Sequence, residues 1–252
     1  MFDLTGRVAI VTGGNGGIGL GMARGMADCG ARIVVAARNA EKSLRAVAEL
    51  KGFGVDAAAI QVDVRDEASV ESLVRATVAL WGRVDILVNN AGTNIRKQPQ
   101  DLALSEWRDV IDTNLTSAFM LSKAVYPHMK AQGGGKIINV GSMNSIFGVP
   151  FSAAYASSKG GIVQLSKVLA TAWAADNIQV NAVLPGWIDT ELTVGARGDV
   201  PGLYERTLAR TPAGRWGVGD DMAGVAAFLA SSASDYVTGA SIPVDGGYSS
   251  LG

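Results

Sequence analysis

Residues 8 to 19, Val-Ala-Ile-Val-Thr-Gly-Gly-Asn-Gly-Gly-Ile-Gly, restrict the fold more than any other stretch of the chain. Val8 to Thr12 is a short β-branched run without alternation, the pattern of a strand buried on both faces. Glycines follow at once, a helical pattern runs from them to about Cys29, and residues 31 to 37 supply a second strand. Strand, turn, helix and strand make a βαβ unit. Glycines at such a turn let the backbone approach a pyrophosphate, whose charge is favoured by the free N–H groups of the helix N-terminus. Gly14, Gly16 and Gly19 fit G-x-G-x-x-G, while Gly13, Gly17 and Gly19 fit G-x-x-x-G-x-G, and spacing alone leaves both registers open.

The alternation continues with a strand near 57 to 62, a helix near 67 to 81 and a fourth strand at 84 to 88. Asp63 closes the third strand, placed either to bond an adenine amino group or to cap a turn. Asn89-Asn90-Ala91-Gly92 ends the fourth, where the amides brace neighbouring backbone, line a cleft, or do both. One long helical pattern covers roughly 105 to 132, with Asn114 inside it. Asn has no propensity advantage there, so its side chain either holds open a polar bulge or, as the residues alone favour, faces solvent. Residues 136 to 142 form a fifth strand ending in Ser142, and the next helix runs to about residue 175. Residues 178 to 184 give a sixth strand. Residues 242 to 245 give a short edge strand that tolerates Pro243. Between these last two, residues 185 to 217 make a connection long enough to serve as a substrate lid or a disordered insert.

Ser142 to Lys159 is the candidate stretch for chemistry, although the residues alone favour a plainer reading as an interface tyrosine, a solvated helix lysine and a turn serine. Tyr155 and Lys159 stand four apart and share a helix face, so a phenol and an ammonium meet in one pocket. A free tyrosine titrates near pH 10, so a cation must lower it by about three units before it exchanges protons efficiently near neutrality. Lys159, helped by a cationic cofactor, is the expected source. Ser142 sits at the carboxyl edge of the sheet, where doubly wound folds place their ligands, as a candidate carbonyl binder.

Composition narrows the classes. Of 252 residues, 48% are hydrophobic and 18% charged, enough for one large domain with a core that needs no disulfides. The net charge of −1 and scattered basic residues leave no footprint for nucleic acid or an anionic membrane. Cys29 is the only cysteine and His128 the only histidine, which disfavours disulfides, Cys-based metal sites and Ser-His-Asp hydrolysis. No metal is expected. The N-terminal residues lack a signal-peptide layout and no apolar run reaches membrane-spanning length, so a cytoplasmic location is expected.

Together these motifs resemble the short-chain dehydrogenase/reductase family along essentially the whole chain. Thr12-Gly13-x-x-x-Gly17-Ile18-Gly19, Asn89-Asn90-Ala91-Gly92 and Tyr155-x-x-x-Lys159 match its cofactor turn, fourth-strand motif and catalytic helix, and the match selects Gly13, Gly17 and Gly19 as the register. The resemblance implies an α/β, single-domain, Rossmann-type doubly wound sheet of seven parallel strands in the order 3-2-1-4-5-6-7, with helices on both faces. It implies reversible hydride transfer between a nicotinamide dinucleotide and a small-molecule secondary alcohol or ketone. Its catalytic four fall on Asn114, Ser142, Tyr155 and Lys159. Tyr155 exchanges the substrate proton, Lys159 lowers its pKa and holds the ribose, Ser142 binds the carbonyl oxygen, and Asn114 fixes a water. Cofactor contacts are expected from Gly13, Asn15, Gly17, Ile18 and Gly19; from Arg38, Asp63 and Val64; from Asn90, Ala91 and Gly92; from Tyr155 and Lys159; and from Pro185, Gly186, Ile188 and Thr190.

The C-terminal phrases, such as residues 212 to 217, are similar to gluconate 5-dehydrogenase and 2-deoxygluconate 3-dehydrogenase members, and related phrases occur in 3-oxoacyl-carrier-protein reductases and general ketone reductases. Arg96, Lys97, Arg197 and Arg206 are candidates to meet an anionic substrate, with isolated surface basics as the plainer reading. Ala36-Ala37-Arg38-Asn39 lacks the acid that holds a ribose 2′-hydroxyl, and Arg38 suits a 2′-phosphate. NADP(H) is therefore favoured, with NAD(H) open because Asn15 stands where many NADP-preferring relatives carry a second basic residue. The family also implies a homotetramer. A dinucleotide-binding redox sensor without turnover is the reading from another class, and the intact catalytic four argues against it.

Overall fold

In the computed structural model, residues 1–251 are described. Seven strands form one parallel sheet: β1 (Val8–Thr12), β2 (Arg32–Ala37), β3 (Ala57–Gln61), β4 (Ile86–Asn89), β5 (Gly135–Val140), β6 (Ile178–Pro185) and β7 (Ser241–Val244). Their order is β3-β2-β1-β4-β5-β6-β7. The helices are α1 (Gly17–Asp28), α2 (Ala40–Lys51), α3 (Glu67–Trp81), α4 (Leu104–Ile111), α5 (Ser117–Ala131), α6 (Ala153–Trp173), α7 (Glu191–Asp199), α8 (Leu203–Ala209) and α9 (Ala223–Ala230). Successive strand residues point to opposite faces, so Ala9, Val11, Ile33 and Val35 pack under α1, α2 and α9. Ile10, Val34, Leu87 and Ile137 pack under α3, α5 and α6. Both faces are covered, which is why the strands read as continuous apolar runs.

All strands run the same way, so their carboxyl ends share one rim and their amino ends the other. At the amino rim Asp85, only 3% exposed, accepts hydrogen bonds from Arg7 Nη1 (2.9 Å), Arg83 Nε (2.7 Å), Arg83 Nη2 (2.6 Å) and Val8 N (2.9 Å). Burial works to raise its carboxyl, but the bonds from Arg83, Arg7 and Val8 outweigh it and hold the group below the usual range.

The single long helix expected over 105 to 132 is broken. Between α4 and α5, Asp112–Thr116 forms one π-helical turn in which Ser117 N bonds Asp112 O, five residues back. Asn114 lies in this turn and is buried, which corrects the solvent-facing expectation. The connection 185 to 217 is not structureless either, since it contains α7 and α8. Trp216 is its anchor: it stacks on Trp187 at 5.2 Å and donates from Nε1 to Thr207 Oγ1 at 2.9 Å. β7 pairs with β6 alone, and Pro243 sits in this edge strand opposite Leu184. Among the described residues, no helix is long and apolar enough to cross a membrane.

Candidate active site

The turn after β1 needs glycine for two separate reasons. Gly13 and Gly17 take left-handed φ values of 64° and 52°, and a Cβ on Gly19 would meet Asn90 Nδ2 and the Gly13 carbonyl oxygen, each at 2.5 Å. These are the three glycines of the G-x-x-x-G-x-G register. No side chain caps the start of α1, which leaves its N-terminus available to an anion. Thr12 Oγ1 accepts from both Asn90 N and Ala91 N at 3.0 Å, and Asn90 Nδ2 donates to Thr12 O at 2.8 Å. The ends of β1 and β4 are thereby fastened together. Asn89 braces only: it is buried and donates to Asn139 Oδ1 at 2.8 Å.

This turn opens into a cleft of about 280 Å³. Gly13, Asn15, Gly17 and Ile18 line one wall, and Asn90, Ala91 and Gly92 the floor. Ser142, Tyr155 and Lys159 close one end, and Pro185, Gly186, Ile188 and Thr190 approach from β6 and the start of α7. The glycine cradle, the uncapped helix and the polar far end fit a dinucleotide. Gly19 packs beneath the floor. Arg38, Asp63 and Val64 lie outside this cleft. Arg38 is exposed beyond β2. The Asp63 carboxylate is bound by Arg65 through its N–H, Nε and Nη2, so it caps its own turn and is held below the usual carboxylate range chiefly by the Arg65 side-chain hydrogen bonds. Val64 belongs to the core under α3.

At the far end of the cleft, Ser142 lies two residues beyond β5, where its Oγ accepts from Asn144 N at 3.1 Å and has its own proton to donate. Lys159, 4% exposed, donates from Nζ to Val140 O at 2.7 Å. Burial pushes its ammonium down to about 8. Nζ lies 5.7 Å from the centre of the Tyr155 ring. Burial raises the Tyr155 phenol, against smaller lowering effects from a Ser142 hydrogen bond and the Arg96 charge. The expected lowering by Lys159 is thus not seen in the protein by itself: its ammonium is turned to a backbone carbonyl. Asn114 stands behind the site. Its Oδ1 accepts from Thr93 N at 2.8 Å, and its Nδ2 donates to Thr93 O at 2.9 Å and to Ser158 Oγ at 3.0 Å. Ser158 in turn donates to Tyr155 O at 2.7 Å.

A second cleft of about 140 Å³ meets the first at Ser142 and Tyr155. Asn94, Arg96, Phe147, Trp187, Arg210 and Tyr248 line it. Of the four basic residues named from sequence, only Arg96 reaches this cleft, where Nη2 donates to Leu192 O at 3.0 Å. Lys97 pairs with Glu106 at 2.6 Å, Arg197 pairs with Asp189 at 3.3 Å, and Arg206 is exposed. Two basic residues escaped notice. Arg210 lines the second cleft, and Lys42 lines the first, where a Cβ on Gly16 would stand 2.9 Å from its Nζ. Lys42 also pairs with Glu191 at the start of α7, at 2.5 Å. Its position one turn into the helix after β2 was the available signal.

A family model described as enoyl-(acyl carrier protein) reductase matches residues 13–249. The 2-dehydro-3-deoxy-D-gluconate 5-dehydrogenase of Escherichia coli is 41% identical over 248 residues, covering 98% of this chain and 97% of the relative. The gluconate 5-dehydrogenase of Gluconobacter oxydans is 38% identical over 247 residues, covering 98% and 96%. Among solved structures, a gluconate 5-dehydrogenase from Burkholderia cenocepacia in complex with NADP and tartrate superposes with a TM-score of 0.93 at 41% identity, covering 99% of this chain and 97% of that one.

Proposed function

The chain belongs to the short-chain dehydrogenase/reductase family, and from that premise we propose that it moves a hydride reversibly between NADP(H) and a secondary alcohol or ketone carbon of a sugar acid. It is an oxidoreductase acting on CH–OH groups. One observation carries the reading: the cleft at the glycine turn and a smaller cleft share a wall that includes Ser142 and Tyr155. A carbonyl entering from the smaller side reaches the hydroxyl and the phenol together.

When bound, an oxidised nicotinamide supplies the hydride acceptor and a positive charge that adds to Lys159 in drawing down the Tyr155 phenol. Tyr155 takes the proton of the substrate hydroxyl in oxidation and returns it to the carbonyl oxygen in reduction. Ser142, whose hydroxyl is hydrogen-bonded to the Tyr155 phenol in the protein by itself, turns its proton to that oxygen. Lys159 would hold the nicotinamide ribose. Asn114 ties Thr93 to the Tyr155 helix and has one lone pair left on Oδ1 for a water. Residues 185 to 217, with α7 and α8, act as the lid over the smaller cleft. Preference for NADP(H) is supported by Arg38 at the end of β2, a guanidinium suited to a 2′-phosphate, with Lys42 over the glycine turn as a second cation once its ion pair with Glu191 opens. The working form is a cytoplasmic homotetramer, supported by exposed apolar side chains on α4, α5 and α6.

The test follows formation of NADPH and NADH from their oxidised forms in parallel, with gluconate and 2-dehydro-3-deoxy-D-gluconate as hydride donors. Expected are turnover of a sugar acid, a roughly ten- to hundredfold preference for the phosphorylated cofactor, and loss of most of it in Arg38→Ala or Lys42→Ala. Tyr155→Phe should lower kcat by about 10²–10⁴ while still binding the dinucleotide. NADH used as well as NADPH overturns the cofactor assignment. Near-normal kcat in Tyr155→Phe overturns the mechanism.

A further inference from the structure

We propose that Arg210 binds the carboxylate of the substrate, and so selects acids over neutral polyols and ketones. This rests on the sugar-acid reading above and names the group that enforces it. Arg210 follows α8, and its guanidinium carbon lies 4.7 Å from the ring centre of Phe147 and 4.5 Å from that of Tyr248. The two rings meet edge to face at 6.2 Å. All three residues line the smaller cleft together with Ser142 and Tyr155.

Aromatic faces hold a guanidinium in place without neutralising it. Three other cations of the lid and rim are spent on acids of the protein, Lys97 on Glu106, Arg197 on Asp189, and Arg215 on Asp221 at 2.7 Å, and Arg96, which shares the cleft, donates from Nη2 to Leu192 O at 3.0 Å and bridges to α7. Among the described residues, Arg210 has no Asp or Glu within ion-pair distance. A planar fork with five N–H donors, fixed against rings and left uncompensated at the wall of a largely apolar cleft, is suited to bidentate capture of a carboxylate. Phe147 follows the Ser142 turn and Tyr248 follows β7, so the same contacts tie the cation to the segment that carries Ser142. The carbonyl to be reduced and the acid group some atoms away are therefore positioned by one rigid unit.

The experiment uses the whole protein with saturating dinucleotide. Wild type, Arg210→Met and Arg210→Lys are assayed with a sugar acid and with its neutral analogue, in which a hydroxymethyl group replaces the carboxylate. Binding of tartrate, a dicarboxylate, is measured by calorimetry with the reduced dinucleotide, so that no hydride acceptor is present. Arg210→Met is expected to raise KM for the acid ten- to hundredfold, to weaken tartrate similarly, and to leave kcat and the neutral substrate within about threefold. Arg210→Lys, which keeps the charge and loses the fork, falls between and supplies the measurement if the methionine variant does not fold. Equal losses on acid and neutral substrates would mean a structural role and overturn the proposal. Wild type that turns over sugar acids while Arg210→Met does so equally well overturns the anchor alone. Wild type that reduces neutral ketones but neither turns over sugar acids nor binds tartrate overturns the sugar-acid reading and the anchor with it.

Discussion

Lys159 carries a charge into surroundings that resist it. Its ammonium is pushed down to about 8 by burial alone, whereas an unfolded chain would hold it near 10.4. Below pH 8 both states are protonated and the full penalty, on the order of 3 kcal/mol, weighs on the folded protein. Between about pH 8 and 10.4 the unfolded state binds more protons, so this contribution to stability rises with pH. In Lys159→Met, denaturant unfolding should show an advantage over wild type that shrinks by about 2 kcal/mol from pH 7 to pH 10. A pH-independent difference would mean that the ammonium is well solvated. The single-face placement of Tyr155 and Lys159 was legible because helix geometry is local. That Lys159 turns to Val140 O, and that Lys42 and Arg210 reach the clefts, was not, because each depends on a segment distant in sequence.

Helix α1 shows packing deciding against propensity. A Cβ on Gly25 would be driven into the Ala223 carbonyl at the start of α9, whereas one on Gly224 meets nothing within 4 Å. Alanine is intrinsically better than glycine in a helix by about 1 kcal/mol. Overpacking of a close backbone contact costs about 1–3 kcal/mol. Gly25→Ala should therefore lower the unfolding midpoint and Gly224→Ala leave it unchanged or raise it slightly. Equal effects would show that the α1–α9 contact yields without cost. All seven strands could be placed from apolar runs and glycine punctuation. The π turn could not, since the extra residue is held by the bonds of Asn114 to Thr93 and Ser158, and neither partner is adjacent in sequence. The two helices of the 185 to 217 connection were likewise missed, because Gly, Pro and Thr there mask short helices that Trp216 pins from one side.

At the scale of the whole molecule, Leu104 (62% exposed), Phe119 (49%) and Val168 (61%) leave apolar surface on α4, α5 and α6, and β7 leaves an unpaired sheet edge. For the proposed homotetramer, light scattering should give four copies of the 26.0 kDa chain, and Phe119→Glu with Val168→Glu should shift the mass downward. A stable wild-type monomer would reject that assembly. The parallel sheet also separates two kinds of residue along one axis. The Asp85 cluster lies at the amino rim and the clefts at the carboxyl rim, about 16 Å apart across a five-residue strand. Effects at sites farther apart than roughly 10 Å usually add. The amino rim can thus accumulate stabilising replacements, and the Arg210 side can drift toward other substrates, with neither history constraining the other: a chain of this kind can be hardened first and re-specified afterwards.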